Sequence, residues 1–153
     1  AQYGDNIGVS RSLQWTPDGL RFCLSREDGI HCLRIDPATG ATQDEKVTPF
    51  PDGPANVIYA TVAADGREMA YSTAATEIYT ATPGQTFAKR YDGRELPEEV
   101  LSIPSDLHYL GGQLFFSDLG RDAIMRLTAD NGSEPLFNKE IALAHGYEEV
   151  SYE

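Results

Sequence analysis

The sequence predicts an all-β fold built of β-propeller blades, and three observations predict it. A phrase of turn, apolar strand, short hairpin, second strand and second turn occurs three times. It reads WTPDGLRFCLSREDGIHCLRIDPATG from Trp15, VAADGREMAYSTAATEIYTATPGQ from Val62 and YLGGQLFFSDLGRDAIMRLTADNG from Tyr109. The copies are evenly spaced: their first turns end at Gly19, Gly66 and Gly112, intervals of 47 and 46 residues. A period of about 40 to 50 residues made of short strands is that of a propeller blade. Within each copy, Val, Ile, Leu, Phe and Tyr alternate with polar residues, the period of a strand with two unlike faces. The expected architecture is one propeller segment of three four-stranded antiparallel blades, at about 10–50, 55–95 and 103–140. Residues 141–153 would supply the first strand of a fourth, and the whole would be half of a six-bladed ring.

The elements follow from turn chemistry. In the first copy, strands over 12–16 and 20–24 are separated by Pro17-Asp18-Gly19. A hairpin at Glu27-Asp28-Gly29 leads to a strand over 30–35, which Asp36-Pro37-Ala38-Thr39-Gly40 ends. The third copy repeats this order with strands over 106–110, 113–117 and 123–128, a hairpin over 119–122 and a turn over 129–132. The second is looser but keeps the turns. An outer fourth strand is expected near 42–47, 86–91 and 134–137. Segments rich in Pro, Gly and charge, such as 49–54 and 92–97, join the copies. No long helix is expected, and 97–102 has room for one turn at most.

Charge narrows the partners. Of 153 residues, 24 are Asp or Glu and 12 are Lys or Arg, a net charge of −12, and the lysines are Lys46, Lys89 and Lys139 alone. Such a surface repels phosphate backbones and anionic membranes, so no nucleic-acid partner is expected. It suits solubility, calcium or a cationic partner. No run approaches the ~18 apolar residues that span a bilayer.

Cys23 and Cys32 are equidistant from the Glu27-Asp28 turn and therefore face each other on adjacent strands. Opposed residues at a non-hydrogen-bonded pair are close enough for a disulfide; the alternative is a pair of reduced, buried thiols. A disulfide implies an oxidising compartment. Asn131-Gly132-Ser133 is an N-glycosylation acceptor in an expected loop. The chain begins Ala1-Gln2, as a mature N-terminus would. All three favour a secreted or extracellular protein, periplasmic in a bacterium.

Three blades do not close a ring, since propellers use about 4 to 8, and open sheet edges need cover. The expected partner is a second copy of the chain or the remaining blades of a larger propeller. The strand Glu149, Val150, Ser151, Tyr152 is the element that would complete a neighbouring sheet by strand addition.

The third copy resembles the YWTD repeat of lipoprotein-receptor-type propellers: Phe115-Phe116-Ser117-Asp118, Gly120-Arg121, Ile124-Met125-Arg126 and Asn131-Gly132 stand in the motif's places. The first copy, with its W-x-P-D-G and D-P-x-T-G turns, looks like the senescence-marker-protein and gluconolactonase propellers. Both families are six-bladed, and the resemblance spans about residues 10–137. In the gluconolactonase type, a Glu, two Asn and an Asp on the channel hold a divalent metal, usually calcium, that polarises a lactone or ester. Their Asn-Gly context reads Arg11-Ser12-Leu13 and Ser105-Asp106-Leu107 here, so no catalytic residue is carried over.

Hard cations want several oxygen ligands. The inner strand of each blade begins near the axis, which makes Asn56, Asp106, Glu148 and Glu149 the candidate calcium ligands; the alternative is a set of solvated rim carboxylates. His31, His108 and His145 match no zinc spacing. His108 is the one histidine placed for acid or base work in a channel, although a structural role is the plainer reading. No G-x-S-x-G elbow, P-loop or G-x-G-x-x-G occurs. Asp118 is expected to cap the turn before Gly120 by accepting backbone N–H groups, with Arg121 and Arg126 bracing neighbouring blades. The functional expectation is a secreted interaction or assembly module with no intact catalytic motif of its own. The alternative is half of a calcium-dependent lactonase or esterase-type hydrolase, completed by a second chain.

Overall fold

A computed structural model describes residues 8–16, 19–74, 76–98 and 100–146, the first of these stretches as backbone alone. Three antiparallel sheets follow one another along the chain. The first contains β1 (Gly8–Thr16), β2 (Gly19–Arg26), β3 (Gly29–Ile35) and β4 (Thr42–Asp44), in that order, with β5 (Thr48–Pro49) also beside β3. The second contains β6 (Val57–Val62), β7 (Met69–Thr73), β8 (Glu77–Ala81) and β9 (Ala88–Asp92). The third contains β10 (Pro104–Leu110), β11 (Gln113–Asp118), β12 (Ala123–Leu127) and β13 (Ser133–Phe137). Each is a simple meander, and the inner strand β6 lies against both β1 and β10, so the sheets stack side by side.

Two apolar cores lie between them. Cys23, Ile30 and Cys32 of the first blade meet Val62, Met69 and Tyr71 of the second, with Phe50 and Phe87. Ala70, Ile78 and Tyr91 of the second meet Leu107, Leu114, Phe116 and Met125 of the third. All five residues of β7 are consequently buried. Met69 and Tyr71 point back to the first blade and Ala70 forward to the third. β11 alternates instead, burying Leu114, Phe116 and Asp118 and leaving Phe115 and Ser117 half-exposed, because only one of its faces has a neighbour among the described residues.

Cys23 pairs with Cys32 across β2 and β3, and the two form a disulfide with Cα atoms 4.1 Å apart. Its sulfurs join the core facing the second blade. The outer strand of this blade is in two pieces, and β5 comes so close to the hairpin that a Cβ on Gly29 (φ 151°) would lie 2.3 Å from the Thr48 carbonyl oxygen. Glycine there is a steric requirement.

Beyond β13 the chain forms α1 (Lys139–Ala144), capped by Asn138, whose Oδ1 accepts from the Ile141 N–H at 2.9 Å. The segment from residue 141, read from sequence as the approach to a further strand, thus opens inside a helix. Glu149, Val150, Ser151 and Tyr152, the proposed assembly strand, lie outside the described residues.

Two stability changes follow. Replacing Cys23 and Cys32 by Ala releases a loop of nine residues, and chemical denaturation should show a loss of about 2–3 kcal/mol; an unchanged midpoint would deny the crosslink a stabilising role. Phe116→Ala, at a site 1% exposed, should cost about 3–5 kcal/mol in the same assay.

Candidate functional site

The ends of the blades where crossovers meet hairpins carry the polar chemistry. In the third blade a buried carboxylate ties the hairpin to the crossover. Asp118 closes β11 with its side chain fully buried. Its Oδ1 accepts from the N–H groups of Ile103 (2.8 Å), Gly120 (3.1 Å) and Arg121 (3.3 Å). Its Oδ2 accepts from Ser102 Oγ (2.7 Å) and Arg121 Nε (2.6 Å). The Arg121 guanidinium also donates to Tyr91 Oη on β9 (2.9 Å) and to Ser133 Oγ on β13 (3.0 Å). One carboxylate therefore fixes the hairpin and ties the crossover to it, and through Arg121 it joins the third blade to the second. Burial pushes the Asp118 carboxyl up, but Ser102, the Ile103 N–H and Arg121 together hold it below the usual carboxylate value.

Arg126 does not brace a neighbouring blade. It pairs with Glu134 on β13 and reaches Gln113 Oε1 at 3.4 Å, both within the third blade. The register of β12 explains this: Arg126 stands opposite Phe115 and Glu134, on the face turned away from the second blade.

The same end of the second blade is open. Val57 pairs with Thr73 as Pro104 pairs with Asp118, so Thr73 stands where Asp118 does and Asn56 where Ile103 does. Crossover 50–56 and hairpin 73–77 enclose a cavity of about 400 Å³. Phe50, Tyr71 and Tyr79 form its apolar wall, and Asp52, Asn56 and Glu77 contribute polar groups. Tyr71 and Tyr79 stack with ring centroids 4.9 Å apart, and Phe50 meets Tyr71 edge-on at 5.1 Å. Beside it, Arg94 joins Glu77 to Asp92 and Lys89 reaches Asp92 Oδ2 at 3.0 Å. Hydrogen bonds from Arg94, opposed by burial, hold the Asp92 carboxyl far below the ordinary range.

The structure thus places the sequence-derived ligands apart in role. Asn56 lines the aromatic cavity. Asp106 is exposed on β10, with Oδ2 3.3 Å from Nε2 of His108, which is more exposed still. Glu148 and Glu149 lie outside the described residues. Among the described residues no group of three or more His, Cys, Asp or Glu side chains is gathered to hold a metal ion. His31 bonds Asp28 at 2.7 Å across its own hairpin, and His145 caps the end of α1. Asn131, in the turn after β12, has a positive φ of 66°, and its Oδ1 accepts from Arg90 Nε of the second blade at 2.6 Å. From sequence, Tyr71 and Tyr79 read as core packing, as they are, and nothing local shows that Phe50 and Glu77 meet them around one space.

No protein-family model matches the chain, and no curated protein matches it in sequence. Among solved structures it is similar to virginiamycin B lyase from Staphylococcus aureus, at 22% identity and a TM-score of 0.54, over 84% of this chain and 41% of that one. It is also similar to Hsv2 of Kluyveromyces lactis, at 8% identity and a TM-score of 0.52, over 84% of this chain and 46% of that one. The fold is that of partial β-propeller blades. The chain spans less than half the length of either propeller, and the likeness is one of fold alone.

Asp118→Ala should destabilise the chain by about 3–5 kcal/mol, because it leaves Arg121 and three N–H groups without their acceptor. The folded carboxyl titrates below its unfolded value near 3.9, so its contribution is present above about pH 4 and is lost as pH falls toward the folded pKa. Acid titration of wild type against Asp118→Asn should show a smaller loss of stability below pH 4 in the variant; parallel curves would remove Asp118 from that role.

Proposed function

We infer that this chain is a β-propeller interaction module that takes up further blades on the outer faces of its first and third sheets. One observation carries the reading. β2 buries Arg21, Cys23 and Ser25 toward the second blade, so Leu20, Phe22 and Leu24 take the opposite face. In the next two blades that face carries Met69 with Tyr71 and Leu114 with Phe116, each 4% exposed or less against the preceding blade. Phe22 occupies the same place and is only half-buried, with Leu33 beside it on β3. At the other end of the array, the third blade turns Phe115, Ser117 and Ile124 outward. Ile124 is 43% exposed.

These faces are the two halves of the interface that already joins the blades: a forward face from one sheet meets a backward face from the next. Exposed apolar area of this kind marks an interaction surface. The partner is a second copy of the chain or the remaining blades of a larger propeller, and the Cys23–Cys32 bond supports a secreted or extracellular setting.

Light scattering tests the self-pairing form. A mass of about twice 16.8 kDa is expected, falling to that of one chain with Phe22→Asp or Ile124→Asp, because a charge would be buried in the interface. A wild-type monomer whose stability neither substitution changes would overturn the reading.

A further inference from the structure

The cavity of the second blade lies away from the outer faces of the first and third sheets and has chemistry of its own. Where the third blade has Asp118, the second has Thr73, and its hairpin meets the crossover through the Ala74 N–H, which donates to the Asn56 carbonyl oxygen at 3.2 Å. Tyr71 is 1% exposed and is packed by Phe50, Tyr79 and Phe87. Yet it lines the cavity, and its hydroxyl has no hydrogen-bonding partner among the described residues. A polar atom on so buried a ring needs a partner from outside. Asp52 at the rim has no ion pair among the described residues, and no Lys or Arg lines the space. Burial first, then Tyr79 and the charges of Glu77 and Asp52, make the Tyr71 phenol harder to ionise.

We propose that this cavity binds a small organic ammonium cation, with the Tyr71 hydroxyl and the Asp52 carboxylate accepting from the ammonium and the aromatic wall receiving its carbon part. Aromatic faces beside carboxylates are the usual surroundings of such ions. A volume of about 400 Å³ is at the small end of ligand pockets. Asn56 Oδ1, on the same crossover, adds a further acceptor.

Calorimetry with 2-phenylethylammonium and its neutral counterpart 2-phenylethanol tests this. The ammonium should bind saturably and the alcohol about tenfold more weakly, with added salt weakening only the first. Asp52→Asn, an exposed change, should weaken the ammonium several-fold and leave the alcohol unaffected. Tyr71→Phe, which keeps the ring and its packing, should also weaken the ammonium while circular dichroism stays unchanged. Equal binding of both compounds, no saturation by the ammonium below about 10 mM, or preference for a neutral sugar such as methyl glucoside would each overturn the proposal. Because the cavity is lined by the crossover and the second blade, these outcomes do not depend on whether the outer faces associate.

Discussion

Burial between sheets is the constraint on which this molecule depends. A four-stranded meander has no interior; it has two faces, and stability comes when each is covered. The second blade shows the satisfied state, with every residue of β7 buried. The third shows the same strand with one face covered, and it alternates. The disulfide, the aromatic cluster and the Asp118 cap all contribute to this stacking. Cys23 and Cys32 stiffen a hairpin whose inward face forms the first core, and Arg121 reaches Tyr91 across the second.

Against that common packing, the crossover ends of the blades vary. The third blade closes its end with one buried carboxylate that satisfies three N–H groups, a hydroxyl and a guanidinium. The second carries Thr73 at the corresponding place, whose hydroxyl accepts from the Glu77 N–H, and a cavity lies beside it. The two blades thus pair equivalent strand ends, Val57 with Thr73 and Pro104 with Asp118, but surround them with different polar groups. Chemistry can vary at these ends because the blade is held by its faces.

Much of the fold was legible because blade structure is local. The Gly19, Gly66 and Gly112 turns mark the period, and alternation along 113–117 assigns faces. The hairpin count sets Cys23 opposite Cys32, the register the structure shows, and Asp118 before Gly120 reads as a turn cap. What was not legible depended on length or on distance. A helix of six residues is too short to show a 3.6-residue period, so α1 was hidden. The broken outer strand of the first blade depends on Gly29 admitting Thr48 and Pro49 from nineteen or more positions away. Arg126 was assigned to the wrong neighbour because its sequence context resembles that of Arg121, while one step of strand parity turns it to the opposite face.

The sequence by itself determined the repeat, the strands, the hairpins and the apolar parity of each face, since these depend on side-chain alternation and turn preferences within a few residues. Only the tertiary structure decided which faces are covered, where Arg121 is anchored, and that Phe50, Asp52, Tyr71 and Tyr79 surround one space. Those facts arise when a crossover from one blade folds over the hairpin of the next, and no local pattern encodes the meeting of segments that far apart.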